Sequence, residues 1–285
     1  MSYVVAKLSD DYLATLVRFA LKEDIGRGDI TSQAVIDEDR HARAQLVARQ
    51  PQVIAGLSLL ERVFAELDPT VEVTPVVVEG QEVLAGAIVA TLEGPARSLL
   101  SGERVALNFM QRLSGIATLT RRFILAMGGA RTVLLDTRKT TPLLRAIEKY
   151  AVTVGGGANH RTSLDDAYLI KENHIRAAGG IGKALERAFR HSGNPARVEI
   201  EVTSEDELVE ALEAGALWIL LDNMTVGQIG RCVDVTAGRA RLEASGGITL
   251  DNVAAYAATG VDSVSVGALT HSAPSTDLSF LITIE

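Results

Sequence analysis

The spacing of apolar residues changes along the chain, and each change predicts a different kind of structure. Near the N-terminus, the apolar residues between Leu13 and Leu21 recur at helical spacing behind Ser9, a residue type that caps helices. Between residues 42 and 92, apolar and polar positions alternate as in strands, with one helical stretch among them. Strands and a helix without a regular strand–helix repeat predict a small α+β domain that ends near Gly94.

The rest of the chain follows a different rhythm. After a helical stretch from 98 to 127, which we expect to be interrupted at Ser114 and Gly115, short apolar runs alternate with helical segments. One of these helices starts at Ser204, with Glu207 as its capping-box partner. Seven runs predict strands, at TVLLDT, near GANHR, and at AYLIKE, VEIEV, LWILLD, RLEASG and VDSVSVG.

A strand–helix series of this length predicts an α/β fold with a parallel barrel of the TIM type, of about seven strands and therefore incomplete. A doubly wound open sheet is the alternative. No G-x-G-x-x-G motif follows any of the predicted strands, which favours the barrel.

Composition and charge narrow the classes of function. Lys and Arg number 28 against 36 Asp and Glu, and the net charge of -8 argues against nucleic acid or an anionic membrane as the partner. No apolar run approaches the length of a membrane span, and the N-terminus lacks the pattern of a signal peptide. Cys232 is the only cysteine, which excludes an intrachain disulfide. We expect a soluble protein of the reducing cytoplasm.

Cationic side chains stand where predicted strands end in this acidic chain. Arg138 and Lys139 follow one apolar run, Lys171 follows another, and His160 and Arg161 come after a triple glycine. Arg binds carboxylate or phosphate through two bonds, and Lys supplies a point charge. The pattern predicts a pocket for a substrate that is anionic at several points. A solvated positive face is the alternative, but these charges end apolar runs and do not decorate polar helices.

Acidic side chains end the following strands. Because side chains alternate across a strand, Glu199 and Glu201 share one face, which in a barrel looks into the mouth. By the same count, Asp222 and Ser245 lie on the inward faces of their strands. Charged residues at the C-terminal ends of barrel strands are more often catalytic than structural. A structural ion pair between Lys171 and Glu201 is the alternative.

Two glycine loops follow the last two predicted strands. Loops in these positions of a barrel commonly hold phosphate on backbone N–H groups, and glycine lets the backbone approach the anion. The residues of the predicted phosphate site are Ser245, Gly246, Gly247, Val266, Gly267 and Ala268.

These residues lie in blocks that resemble the type II phosphoribosyltransferases, and most closely the quinolinate phosphoribosyltransferase family. The similar blocks cover nearly the whole chain. They are EDIGRGDITS, ERVALNFMQRLSGIAT, DTRKTTP, EKYAV, GGGANHR, LIKENHI, EIEV, LLDN, EASGGI and GVDSVSVGALTHS. Blocks of this length are unlikely to recur by chance.

The resemblance implies two domains and a homodimer. An N-terminal α/β sandwich would comprise residues 1–104 and be rejoined by residues 272–285. The incomplete barrel of residues 105–271 would carry the active site. Each active site would borrow Arg104 from the neighbouring subunit.

The resemblance also implies the reaction. Quinolinate and phosphoribosyl pyrophosphate would give nicotinate mononucleotide, carbon dioxide and pyrophosphate, with Mg²⁺, in NAD biosynthesis. Thr137 and the groups for the quinolinate carboxylates (Arg104, Arg138, His160 and Arg161) would bind substrate. Lys139 and Lys171 would serve the anionic centre between the ring and the pyrophosphate, while Glu201 and Asp222 would hold the ribose hydroxyls and Mg²⁺. Catalysis would need no covalent enzyme intermediate.

Two positions depart from the family pattern beside the expected pocket. Leu143 stands where glycine is usual, and Thr162-Ser163-Leu164 stands where an apolar residue and a glycine are usual. His174 and His271 fit a structural hydrogen bond as well as a substrate contact.

Two other functions stay open: a ModD-like activity on a different anionic acceptor, and a non-catalytic barrel that binds a phosphorylated metabolite. The presence of both Glu201 and Asp222 counts against the second.

Overall fold

The computed structural model describes residues 8–284 and contains, within that range, eleven α-helices, twelve β-strands and a short 3₁₀ helix, Pro195–Arg197. The helices are α1 (Asp10–Ile25), α2 (Ile30–Val35), α3 (Leu57–Leu67), α4 (Ala96–Ala126), α5 (Arg145–Val154), α6 (Glu172–Ala178), α7 (Ile181–Ser192), α8 (Glu205–Glu213), α9 (Val226–Thr236), α10 (Val253–Ala258) and α11 (Ala268–His271). The strands are β1 (His41–Ala48), β2 (Gln52–Val53), β3 (Glu72–Pro75), β4 (Glu82–Val83), β5 (Ile88–Pro95), β6 (Val133–Leu135), β7 (Tyr168–Ile170), β8 (Val198–Val202), β9 (Trp218–Asp222), β10 (Arg241–Ser245), β11 (Ser263–Ser265) and β12 (Leu278–Ile284).

The chain forms two compact units. Within the described residues, one unit takes in 122–145 and 157–271, and the other takes in 8–121, 146–156 and 272–284. The second unit thus contains two stretches that we predicted to belong to the barrel domain, residues 105–121 of α4 and residues 146–154 of α5.

The second unit is built on an antiparallel sheet in the order β12-β1-β5-β3. β12 pairs with β1 over its whole length, from Ala42 opposite Ile284 to Ala48 opposite Leu278, so the last described strand lies beside the first. The amphipathic helix α3 buries its apolar side in this unit, where Phe64 stacks on Phe280 at a ring-centroid distance of 6.1 Å.

α4 continues without a break through the position where we predicted an interruption, so that prediction was wrong. Gly115 serves close packing, because a Cβ at this position would lie 2.1 Å from the Pro274 carbonyl oxygen. The Ser114 hydroxyl is buried and bonds the backbone N–H and carbonyl of Ala55. Both residues therefore let other segments approach the helix. In a sequence pattern, a small residue that allows close packing looks the same as one that ends a helix.

The first unit contains the parallel sheet, in the order β7-β8-β9-β10-β11-β6. Strands from β7 to β11 follow one another in chain order, and the earliest strand, β6, pairs with the latest, β11. A doubly wound sheet would reverse its order at a switch point, whereas pairing of first and last strands is how a barrel closes. The barrel prediction is therefore confirmed.

The barrel is incomplete, as predicted, although the seventh strand is shorter than expected. The GANHR segment contributes only one parallel bridge, between Ala158 and Leu135 of β6. The gap in the wall lies between this bridge and β7. Apolar side chains of each strand pack outward under the helices, as Val198, Ile200 and Val202 do in β8, where all three are fully buried. The alternate residues point into the barrel.

Helix caps agree with the sequence in most details. The Ser9 hydroxyl accepts from the Tyr12 N–H at the start of α1, as predicted. At α8 the Ser204 hydroxyl accepts from the Glu207 N–H, but the Glu207 carboxylate accepts from the Thr203 N–H, one residue before the predicted partner.

Cys232 is buried as a free thiol. Among residues 8–284, no helix is both long and apolar enough to span a bilayer.

Candidate active site

The C-terminal ends of the barrel strands surround one cavity of about 320 Å³, a size typical of sites for small molecules. Nine of the residues predicted from the sequence line it: Thr137, Arg138, Lys139, His160, Arg161, Lys171, Glu201, Asp222 and Ser245. The remaining lining residues were not predicted as ligands: Leu169, Leu220, Glu243 and Ser265.

Two guanidinium groups dominate the cationic side of the cavity. The Nε atom of Arg138 is buried and has no hydrogen-bond partner among the described residues. Arg161 donates from Nη1 to the Ala167 carbonyl oxygen at 2.9 Å. Burial lowers the pKa of Arg161, and the like charge of Arg138 lowers it further. An anion bound between these groups would relieve both the repulsion and the unmet donor.

His160 is buried, and both of its ring nitrogens are engaged. Nδ1 accepts from the Arg161 backbone N–H at 2.7 Å, so the proton of the neutral ring lies on Nε2, which donates to Glu199 Oε2 at 3.0 Å. The backbone N–H of His160 donates to Asp136 Oδ1 at 2.9 Å. Two hydrogen bonds to the ring and one to the backbone N–H thus hold His160 in place, and the bond to Nδ1 orients the backbone of Arg161.

Two carboxyl groups lie on the inward faces of β8 and β10, where Glu243 lines the cavity and Glu199 lies close beside it. Glu199 is 2% exposed and Glu243 is 0% exposed, and burial raises the pKa of each to about 8. In the described residues, Glu199 Oε1 and both oxygens of Glu243 lack a well-formed hydrogen bond. Burying an ionised carboxylate without partners is costly, so these groups retain protons at neutral pH. Alternation along β10 already indicates an inward position for Glu243, since it shares a face with Ser245.

The composition of this buried cluster suggests a metal site, but its hydrogen bonds do not fit one. One ligand atom each from His160, Glu199 and Glu243 lies within 4.8 Å of the others. A metal would need the lone pair of His160 Nε2. The Arg161 N–H occupies Nδ1 and thereby places the ring proton on Nε2. This arrangement suits a hydrogen-bonded support for the cavity floor.

The acidic rim of the cavity consists of Glu201 and Asp222. Lys171 Nζ lies 2.6 Å from Glu201 Oε2, so the ion pair that the sequence left open does form. The Lys171 side chain is 50% exposed, and a pair of this kind contributes little to stability and can exchange partners. Asp222 Oδ2 accepts from Asn223 Nδ2 at 2.7 Å. The other oxygen of each carboxylate has no partner within residues 8–284.

The glycine loops occupy the ends of β10 and β11, outside the lining of the cavity except for Ser245. Gly246 and Gly247 have φ values of +94° and +64°, which favour glycine. Gly267 packs closely against two side chains, since a Cβ would lie 3.0 Å from Lys139 Cδ and 3.1 Å from His271 Nε2. Val266 is buried and its N–H donates to the Leu135 carbonyl oxygen, so that N–H is already used within the sheet.

Arg104 belongs to the other unit, where its side chain is exposed on α4. Its predicted role at a neighbouring subunit's site therefore stays a prediction.

Comparison with known proteins assigns the chain to a family. The profile of the quinolinate phosphoribosyl transferase N-terminal domain matches residues 29–114, and the profile of the C-terminal domain matches residues 116–281. The chain belongs to the quinolinate phosphoribosyltransferase family. The second profile covers the whole barrel and every residue that lines the cavity.

Relatives match over nearly their full lengths. A probable nicotinate-nucleotide pyrophosphorylase (carboxylating) of Bacillus subtilis is 42% identical over 272 residues, which cover 95% of this chain and 94% of that protein. A Synechocystis protein of the same description is 44% identical, covering 92% of this chain and 90% of that one. The solved nicotinate-nucleotide pyrophosphorylase of Francisella tularensis superposes with a TM-score of 0.95 at 42% identity, covering 99% of this chain and all of that one.

The departures from the quinolinate phosphoribosyltransferase pattern lie in exposed loops of the barrel unit. Leu143 has a φ of +68° and is 87% exposed, so a leucine occupies a backbone conformation that suits the glycine expected there. The Thr162 N–H and hydroxyl both donate to Asp166 Oδ2, and Ser163 bonds Asp165. These polar bonds hold the loop after Arg161 in the absence of the usual glycine.

The two histidines left open differ in their surroundings. His174 Nδ1 accepts from the Lys171 N–H at 2.9 Å, which caps the start of α6 and is a structural role. His271 ends α11, and its Nε2 would lie 3.1 Å from a Cβ built on Gly267. Its ring therefore borders the second glycine loop.

Proposed function

We propose that this chain catalyses the reaction of its family with the residues that line the barrel cavity. The reaction transfers the phosphoribosyl group of phosphoribosyl pyrophosphate to the nitrogen of quinolinate and gives nicotinate mononucleotide, carbon dioxide and pyrophosphate, in the synthesis of NAD. One observation carries the proposal. The buried, unpaired Nε–H of Arg138 and two carboxylates that each have a free oxygen, Glu201 and Asp222, face the same cavity, which suits a dianionic acid on one side and a sugar on the other.

Quinolinate binds to the cationic side in this proposal. Arg138 and Arg161 each grip a carboxylate, since the planar fork of guanidinium matches the two oxygens. His160 acts mainly through Arg161, because both of its ring nitrogens already bond protein groups. Thr137 lines the cavity beside Arg138, and its hydroxyl accepts from the Lys139 N–H at 3.0 Å.

Phosphoribosyl pyrophosphate binds across the acidic rim and the glycine loops. Glu201 and Asp222 accept from the ribose hydroxyls, and residues 245–247 and 267–268 hold the 5′-phosphate. The free oxygens of Glu201 and Asp222 also fit Mg²⁺, which takes one or two carboxylates together with substrate phosphates. When bound, Mg²⁺ would neutralise charge on the departing pyrophosphate. Lys139, which is exposed, and Lys171 add positive charge there.

Catalysis then rests on position and charge. The bond from the anomeric carbon to pyrophosphate breaks and its electron pair leaves with pyrophosphate. The ring nitrogen supplies the pair for the new bond and becomes cationic. The carboxylates of Glu201 and Asp222 stabilise the positive charge that develops on the sugar. The carboxylate next to the cationic nitrogen then leaves as carbon dioxide, and the electron pair left on the ring carbon takes a proton from water.

We further propose a homodimer in which Arg104 reaches the cavity of the partner subunit, where it would add a third guanidinium for quinolinate. The reaction would take place in the cytoplasm, where the buried free thiol of Cys232 would stay reduced. Neither the cavity nor the relatives described above favour the ModD-like alternative.

The test is an assay for nicotinate mononucleotide and carbon dioxide from quinolinate and phosphoribosyl pyrophosphate with Mg²⁺. We expect stoichiometric formation of both products, and loss of turnover when Arg138 is replaced by alanine. Absence of turnover by the wild-type chain at millimolar substrate would overturn the proposal.

A further inference from the structure

Asn223, the residue after β9, connects two parts of the proposed site. Its backbone has a φ of +55°, in the left-handed region that Asn tolerates better than most residues. In this conformation its N–H donates to the Ser245 carbonyl oxygen at 2.8 Å. The end of β9 is thereby bonded to the start of the glycine loop after β10.

The side chain of Asn223 makes a second connection. Nδ2 donates to Asp222 Oδ2 at 2.7 Å. An ionised carboxylate can only accept hydrogen bonds, so the amide must present its nitrogen to Asp222 and its oxygen elsewhere. The oxygen lies against the glycine loop, because a Cβ built on Gly246 would be 2.2 Å from Asn223 Oδ1. The exposed amide therefore bonds the carboxylate through its nitrogen and contacts the loop through its oxygen.

We infer that Asn223 is a positioning residue, which keeps the Asp222 carboxylate and the Ser245–Gly247 loop in one fixed relation. Asp222 can then meet the ribose hydroxyls while the loop meets the 5′-phosphate of the same substrate molecule. The inference rests on the proposed function, which assigns both groups to phosphoribosyl pyrophosphate. The contact with Asn223 Oδ1 also gives position 246 a second reason to be glycine, besides its positive φ.

Two substitutions separate the side chain of Asn223 from its backbone. Asn223→Gly keeps the left-handed conformation and removes the amide. Asn223→Asp keeps the shape but cannot donate to Asp222 when ionised. We expect both to weaken binding of phosphoribosyl pyrophosphate with Mg²⁺ by about 10-fold or more, since the lost bond is to a charged group. Quinolinate binds at the other side of the cavity, and its affinity should stay within about 2-fold of wild type.

Isothermal titration with each substrate alone measures these affinities, and steady-state kinetics should show the same selective rise in KM for phosphoribosyl pyrophosphate. Asn194→Asp is the matched control, because Asn194 caps the 3₁₀ helix through its side-chain oxygen and Asp caps equally well. A wild-type affinity in Asn223→Gly would show that only the backbone matters and would overturn the inference. An equal loss for both substrates would overturn it too, as a general disturbance of the site.

A double-mutant cycle tests the contact with the loop. In the wild-type chain, Gly246→Ala places a methyl group onto Asn223 Oδ1 and should weaken phosphoribosyl pyrophosphate binding strongly. In Asn223→Gly the side-chain contact is gone, so the same substitution should cost several-fold less, although the 3.0 Å approach to the backbone N of residue 223 and the φ strain persist in both backgrounds. Strictly additive losses would contradict the coupling. If the wild-type chain turns over its substrates and the Asn223 variants do not behave as expected, only the inference about Asn223 fails. If the wild-type chain does not turn over, the proposed function itself fails.

Discussion

His160 Nε2 and Glu199 Oε2 lie 3.0 Å apart in a buried hydrogen bond under the cavity floor. The bond orients an imidazole whose other nitrogen accepts from the backbone of Arg161. One buried carboxyl group thus acts, through one ring, on the position of a guanidinium that we assign to substrate. Such support is what holds a binding group in a fixed geometry before the ligand arrives.

We predict that Glu199→Gln and Glu199→Leu differ sharply. The Gln side chain still presents an oxygen to the His160 N–H, so its unfolding free energy and quinolinate affinity should stay near wild type. Leu leaves a buried N–H without an acceptor, which costs about 1–3 kcal/mol, and frees the ring that holds Arg161. Urea unfolding and quinolinate titration measure the two effects. Indistinguishable Gln and Leu variants would contradict this role for the bond.

Glu243 should make the unfolding free energy fall as pH rises. Its pKa is about 8 in the folded chain against an ordinary value of 4.5. Between these values the folded chain binds a proton that the unfolded chain lacks, so stability falls by about 1.4 kcal/mol per pH unit. The stabilisation is fully present below the unfolded pKa and is lost as pH rises through about 8.

The Gln side chain in Glu243→Gln stays neutral throughout. The variant should therefore lack the part of the slope, about 1.4 kcal/mol per pH unit, that comes from the proton on Glu243. Urea unfolding at several pH values from 5 to 9 would check it. Exposed Glu210→Gln on α8 is the matched control, which makes the same substitution at the protein surface. Parallel curves for wild type and Glu243→Gln would show that Glu243 titrates normally.

Arg138→Lys should weaken quinolinate binding severely although it conserves the charge. The ammonium group cannot reproduce two bonds to a planar carboxylate, and each charge-assisted bond is worth about 1.5–3 kcal/mol. We expect at least a 10-fold rise in the dissociation constant with an unchanged circular dichroism spectrum. A near-normal affinity would remove the carboxylate assignment.

Mixing two inactive variants tests the proposed dimer. Arg104→Ala and Arg138→Ala should each be nearly inactive alone. If Arg104 serves the partner's cavity, a mixed dimer has one cavity that lacks both groups and one that is complete. With random exchange about half of the dimers are mixed, so activity should return to about a quarter of wild type. If Arg104 serves its own subunit, every cavity lacks one group and mixing restores nothing.

Leu143→Gly should stabilise the chain slightly. A non-glycine residue in the left-handed region stores about 1 kcal/mol of strain, and the exposed side chain of Leu143 offers little in return. The greater freedom of glycine in the unfolded chain offsets part of the gain, so we expect a rise in unfolding free energy of up to about 1 kcal/mol. Leu125→Gly is the matched control, because that exposed leucine lies in the right-handed last turn of α4, and the substitution should lower the unfolding free energy by up to about 1 kcal/mol.

The sequence predicted the barrel and most of the cavity lining because both depend on local patterns. Alternation along β8 placed Glu199 and Glu201 inward, and strand ends located Arg138 and Lys171. Patterns could not show that His160 has both ring nitrogens occupied, since Glu199 meets Nε2 only after the strands pair and the bond from the Arg161 N–H to Nδ1 depends on the conformation of the loop. They also missed the continuity of α4, because glycine for close packing and glycine for a helix end look alike in one sequence.

Both units of this chain are completed by segments that come late in synthesis. β6 finds its strand partner in β11, about 130 residues further along, and β1 finds one of its two partners in β12. A ribosome-bound chain that has not yet reached β11 leaves β6 without that partner, and the N-terminal sheet keeps an unpaired edge until β12 emerges. Contacts this distant in sequence slow folding, and unpaired edges invite aggregation. Nascent chains stalled before residue 263 should therefore depend on chaperones far more than the released protein does.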